Sequence, residues 1–155
     1  MHIARGGYRK DLDLYVRSKM EANILRYYKF IKVKYVYEPR EFEFLKIKRG
    51  SRFYKPDIYL PEQDKLIEIK GWFTASDKTK IRRLKKYYLE EFTKLKFIIP
   101  DKYSRSKANG EMIKFLCDDL EINFNDIMSY KEVEKYNKLI PGWEWIDFRE
   151  ASDIK

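Results

Sequence analysis

The chain has 155 residues, the size of one domain with a real core, and Lys and Arg outnumber Asp and Glu by 34 to 25 for a net charge of +9. That balance points to a polyanionic partner, nucleic acid first, although a solubility charge or a lysine-rich residue bias would give the same count. A single cysteine, Cys117, excludes an internal disulfide, and a single histidine, His2, excludes a Cys/His zinc cluster and histidine acid–base chemistry, so any metal must be oxygen-ligated.

The chain opens with a basic arm, residues 1–10, in which Arg5, Arg9 and Lys10 surround Gly6-Gly7; the expectation is a flexible segment that lies along phosphates, or one that is simply disordered. A stripe of Leu12, Val16, Met20, Ile24, Tyr28 and Ile31 predicts a helix over 12–31. Glu21 falls at the border of that stripe, either aimed at a sheet edge or solvated on the helix flank. Strands follow over 32–37 and 42–47, with Glu38-Pro39-Arg40 as the turn. Glu38 is a secondary candidate for a metal shell. The cationic loop containing Lys46, Lys48, Arg49, Arg52 and Lys55 then leads into the next strand. Its side chains can grip a nucleic-acid backbone, Gly50 letting the main chain approach closely, or they form an ordinary solvated turn.

Three charges interrupt the two apolar segments that come next. Lys55-Pro56-Asp57-Ile58-Tyr59-Leu60 and Leu66-Ile67-Glu68-Ile69-Lys70 each alternate as strands, and Pro61 to Asp64 reads as the turn between them. Centring the hairpin between Glu62 and Gln63 puts Asp57 opposite Glu68, β-carbons about 5 Å apart. Glu68 and Lys70 share a face, because side chains two apart on a strand point the same way. Two carboxylates so close repel unless a cation lies between them, and Mg²⁺ is commonly held by one or two carboxylates. Lys70 beside such an ion could stabilise a pentavalent phosphate or help deprotonate a water. The alternative is an exposed hairpin whose charges face solvent.

Trp72 and Phe73 follow, either stacking on an opened base or packing in the core. A helix capped by Ser76 or Asp77 runs to about residue 92, with Ile81, Leu84, Tyr88 and Phe92 inward and Lys78, Arg82 and Arg83 among its cations; that face would track a phosphate strand or simply be solvated. A strand over 96–100 closes a catalytic core of residues 11–100. Beyond it a polar loop, 101–110, precedes helices over 111–120, with Asn109 as candidate cap, and 130–139, and an aromatic tail with Trp143 and Trp145. This makes a small helical extension, 101–155. Cys117 reads as a small buried apolar residue.

The layout Pro56-Asp57, ten residues, Glu68-Ile69-Lys70, preceded by Glu21 on a helix, resembles the PD-(D/E)XK nuclease superfamily and is most similar to phage endonuclease I type Holliday-junction resolvases. The endonuclease subunit of some heteromeric transposases is similar at the same positions. The resemblance spans residues 17–72 and implies an α/β fold with a restriction-endonuclease-like core, a mixed β-sheet flanked by helices. It implies Mg²⁺, with Mn²⁺ able to substitute, held by Asp57, Glu68, the Ile69 carbonyl and Glu21, with Lys70 over the scissile phosphate. DNA would be gripped by Arg49, Arg52, Lys55, Lys78, Arg82 and Arg83. The expected function is a structure-selective endodeoxyribonuclease acting on four-way junctions in DNA recombination. Paired cuts in two strands imply a homodimer. The rivals are a transposon-end or restriction-like nuclease and a catalytically silent DNA-binding module. The expected location is the cytoplasm, for a phage-encoded protein that of the host, since no apolar leader or run of about 18 apolar residues occurs.

Overall fold

The computed structural model describes residues 5–148. These residues form a mixed five-stranded sheet with helices packed on both faces. Its strands are β3 (Val36–Tyr37), β6 (Ile58–Leu60), β7 (Lys65–Ile69), β8 (Leu95–Ile99) and β9 (Met128–Ser129), in the order β3-β6-β7-β8-β9. Pairing is antiparallel from β3 through β7 and parallel from β7 to β9. Strand β7 is central and buried on both faces from Leu66 to Ile69.

On one face lies α1 (Lys19–Phe30), whose Met20, Ile24, Leu25 and Tyr28 pack on Ile58, Leu60, Ile67, Ile69 and Ile98. The other face carries α2 (Ala75–Tyr87), α3 (Leu89–Thr93) and α4 (Lys107–Lys114) over Leu66, Phe97 and Ile99. A two-stranded ribbon, β4 (Phe42–Glu43) with β5 (Phe53–Tyr54), covers the same side with Phe42, Phe44 and Tyr54.

Several expectations shift. The helix predicted over 12–31 begins only at Lys19, where the Ser18 hydroxyl accepts the Glu21 N–H as N-cap. Its first third instead holds β2 (Leu14–Val16), which forms a hairpin with the preceding β1 (Gly7–Arg9), pairing Tyr8 with Tyr15 around a turn with Asp13 at φ 52°. Leu12 and Val16 reach the same core as the helix, so their spacing mimicked a longer stripe. The basic arm is thus ordered from Gly7 to Arg9, while the part of the expectation that falls on residues 1–4, His2 included, lies outside the described residues.

Strands 32–37 and 42–47 shorten to β3 and β4 and join different sheets, because Glu38 takes a left-handed φ of 48° and donates its N–H to the Asp57 carbonyl. The helix expected through residue 92 breaks at Tyr88 (φ −136°, ψ 57°), and its cap is Thr74 rather than Ser76 or Asp77. Ser106 rather than Asn109 caps α4, which starts before residue 111 and runs into a π-helical turn, Phe115–Asp119.

The segment after residue 100 is more than a helical extension. It contributes β9, which adds to β8 in parallel, and then α5 (Tyr130–Glu134), much shorter than the predicted 130–139 helix. Tyr130, Val133, Ile140 and Ile146 join the α1 side of the core, with Trp143 packed against them. The fate of residues 149–155 lies outside the described residues.

Candidate active site

The β6–β7 register pairs Ile58 with Ile67, Tyr59 with Leu66 and Leu60 with Lys65, the register of a hairpin centred between Glu62 and Gln63. At Asp57 the ladder is modified. The Asp57 N–H donates to the Ile67 carbonyl at 3.1 Å, so two consecutive residues, Asp57 and Ile58, address one partner, as at a β-bulge. Pro56 has no N–H and cannot carry the ladder further. The Ile69 N–H turns to the Asp57 carboxylate instead, donating to Oδ2 at 2.7 Å. The bulge therefore aims Asp57 across the end of β7, beside Glu68.

Glu68 is 3% exposed although ionisable. The Tyr54 hydroxyl donates to its Oε1 at 2.6 Å, and Lys70 Nζ lies 3.5 Å from its Oε2. Lys70 Nζ also donates to Asp77 Oδ1 at 3.2 Å. Glu21, 5% exposed on α1, accepts from the Tyr37 hydroxyl at 2.7 Å and the Ser18 hydroxyl at 3.1 Å. All of these acids open onto one cleft of about 1210 Å³ at the carboxyl ends of β7 and β8, where open α/β sheets carry their ligands.

The electrostatics of this cleft run against the charge of the protein. Burial, then the nearby Glu68 and Glu21 carboxylates, push Asp57 well above the usual carboxylate range, against the pull of the Ile69 N–H and Lys70. Burial pushes Glu68 up to about 7 despite Lys70 and the Tyr54 hydrogen bond. Glu21 is raised by burial too, its two hydroxyl donors opposing. Burial alone would depress Lys70, but Glu68, Asp77 and Asp57 outweigh it and raise its pKa. Lys70 thus stands in the cleft as an ammonium, suited to stabilising negative charge and poorly suited to accepting a proton.

Asp57, Glu68 and Lys70 share the cleft, but the bulge takes Asp57 out of the direct pairing with Glu68 that their spacing implied. Glu21 shares the cleft but is engaged by Tyr37 and Ser18, and among the described residues no three His, Cys, Asp or Glu side chains converge on a point that would hold an ion. Glu38 is paired with Arg17 at 2.9 Å. The donor set still suits a hard cation, since Mg²⁺ keeps several waters and needs one or two carboxylates, and Glu68 is buried and Asp57 half-buried, their repulsion one that such a charge would relieve.

The expected DNA-contacting cations divide. Arg49, Arg52 and Lys55 are exposed, and Lys55 lines the cleft. Arg83 is structural, its guanidinium donating to the Gly50 and Ser51 carbonyls at 2.9 Å each. Arg82 pairs with Asp119 at 2.9 Å and, like Lys78, lies over the Phe115 ring. Trp72 lines the cleft and is exposed, whereas Phe73 is buried in the core.

Sequence reasoning missed Tyr54, Tyr37 and Asp77 as site residues. Tyr54 and Tyr37 carried no signal of their own, one in a two-residue strand and the other in a short edge strand. Asp77 was legible only as a helix cap. Arg17 and Lys80 also line the cleft and were not singled out as contacts. Compared with known proteins, the chain matches no protein-family model, no curated protein and no solved structure.

Proposed function

We propose that the protein is a Mg²⁺-dependent DNA endonuclease with a restriction-endonuclease-like core, acting on branched DNA such as four-way junctions. One observation carries this reading: in a protein of net charge +9, half-buried Asp57 and buried Glu68 repel each other in a cleft that also holds the Lys70 ammonium. Asp57 and Glu68 would hold the ion with the Ile69 carbonyl. Glu21, one α-helix away, is suited to orienting water. Bound there, a divalent cation supplies Lewis-acid stabilisation of phosphate oxygens.

The residues of the chain do the rest. Lys70 stabilises charge on the phosphorus centre as a water oxygen forms a new P–O bond and the bond to the leaving sugar oxygen breaks. Lys55 lines the cleft, Arg49 and Arg52 are exposed on the loop that leads to it, and these are the cations best suited to gripping the backbone, whereas Arg82 and Arg83 are engaged by Asp119 and by the Gly50 and Ser51 carbonyls. Preference for branched DNA rests on the motif layout, and paired cuts would require a C₂ dimer with one site per protomer.

The test is incubation with a four-way junction, linear duplex and single-stranded DNA, with Mg²⁺ or with chelator. Paired, Mg²⁺-dependent nicks in the junction support the reading. Equal cutting of linear duplex assigns a transposon-end or restriction-like nuclease, and binding without cutting assigns a silent DNA-binding module.

A further inference from the structure

Lys70 has two acidic neighbours, and their positions differ. Glu68 Oε2 is 3.5 Å from its Nζ and Asp77 Oδ1 is 3.2 Å away. Glu68 is one of the acids that would take a divalent cation, and a cation there would cancel its attraction for Lys70 and repel the ammonium directly. Asp77 lies off that pair, in the first turn of α2. Its second oxygen, Oδ2, accepts the Thr74 N–H at 2.9 Å, and its own N–H donates to the Thr74 hydroxyl at 3.0 Å. This reciprocal capping box locks the carboxylate orientation. Capping uses one oxygen only, and the other faces a lysine seven residues upstream on the end of a central strand.

We infer that Asp77 is a positioning residue that holds the Lys70 ammonium in the cleft when Glu68 is engaged by a cation. The inference rests on the nuclease reading for its catalytic consequence, and on the Asp77–Lys70 geometry for the positioning itself. Asp77 acts through Lys70 and has no contact with the reacting atoms. Its two oxygens serve different ends, one the helix start and the other the lysine, so substitutions can separate the two roles.

The experiment compares the intact protein with Asp77→Asn, Asp77→Glu and Thr74→Ala. Asp77→Asn keeps an oxygen for the Thr74 N–H but loses the charge that faces Lys70. Thr74→Ala weakens the cap and leaves the Asp77 carboxylate beside Lys70. In Mg²⁺-dependent cleavage, Asp77→Asn lowers kcat by about 100-fold, the scale of a misplaced reactive group, while KM for DNA stays near that of the unmodified protein. Asp77→Glu recovers part of the loss, and Thr74→Ala melts earlier but retains kcat. Cleavage by Asp77→Asn at the unmodified rate overturns the inference, and so does a loss shared equally by Thr74→Ala and tracking thermal stability. A second measurement stands apart from turnover: with Mg²⁺ present, the Lys70 ammonium ¹H–¹⁵N resonance, protected in the intact protein and in Thr74→Ala, disappears in Asp77→Asn. Its persistence in Asp77→Asn overturns the positioning role. An intact protein inert on every DNA would remove the nuclease reading and the catalytic consequence with it, and the resonance would still decide the positioning.

Discussion

The Tyr54 hydroxyl donates to Glu68 Oε1 at 2.6 Å, joining a two-stranded ribbon to the acid at the centre of the main sheet. Both groups are buried, so this bond lowers the cost of a carboxylate in an apolar setting. Tyr54→Phe removes the donor without changing the ring. Stability of the charged form should fall by about 1.5–3 kcal/mol, the range for a hydrogen bond to a charged group. The Glu68 pKa should climb further, because the Tyr54 bond pulls it down. Urea unfolding at pH 8 and ¹³C titration of the Glu68 carboxyl check the two parts.

Glu68 also gives the metal-free protein a pH-dependent stability of definite sign. Its folded pKa of about 7 lies above the ordinary glutamate value of 4.5, so the folded state binds the proton more tightly. The corresponding stability is present below about pH 4.5 and is lost as pH rises through about 7, a change of roughly 3 kcal/mol at 1.36 kcal/mol per unit. The raised Asp57 acts in the same direction. Urea midpoints measured in chelator should therefore fall over this window, and added Mg²⁺ should restore them at the alkaline end. A flat profile in chelator would contradict the raised Glu68 and Asp57.

Asp57→Asn should separate folding from activity. The side-chain oxygen can still accept the Ile69 N–H, while the repulsion of Asp57 by Glu68 and Glu21 is gone. The metal-free variant should be more stable than the parent by about 0.5–2 kcal/mol and should cut no DNA. Lys70→Ala should also abolish cutting, and both variants should bind junctions nearly as well as the parent. Cleavage gels and filter binding decide it, and retained cutting in both would contradict the site.

The basic residues should fall into two classes. Arg83→Ala frees the Gly50 and Ser51 carbonyls and should cost about 1–2 kcal/mol of stability. Arg49→Ala and Lys55→Ala should leave stability unchanged, weaken DNA binding and each flatten the log K against log salt plot by about 0.9 per lost phosphate contact. Denaturation curves and binding across a salt series separate the classes.

The hairpin was the most legible part of the sequence. Two alternating runs and one turn sufficed to fix the β6–β7 register, because a slip by one residue would move Ile58 and Ile67 to the opposite face of the sheet. The bulge at Asp57 was harder to see, since it depends on Pro56 and on a side chain replacing a backbone acceptor. The N-terminal hairpin was misread because Leu12 and Val16 join the helix core from a non-helical segment, and period alone cannot tell the two apart. Strand β9, two residues long, was too short to announce itself; its pairing with β8 is a tertiary outcome. Within the candidate site, the charged residues of one local motif were readable, whereas Tyr54, Tyr37 and Asp77 join it through folding.

Calorimetric titration of Mn²⁺ into the protein, Asp57→Asn and Glu68→Gln tests the central claim most directly. The account predicts that the unmodified protein binds the ion with release of protons near pH 7 and that either substitution abolishes that binding, with the fold intact by circular dichroism. Absence of binding by the unmodified protein, or binding that survives both substitutions unchanged, would contradict it.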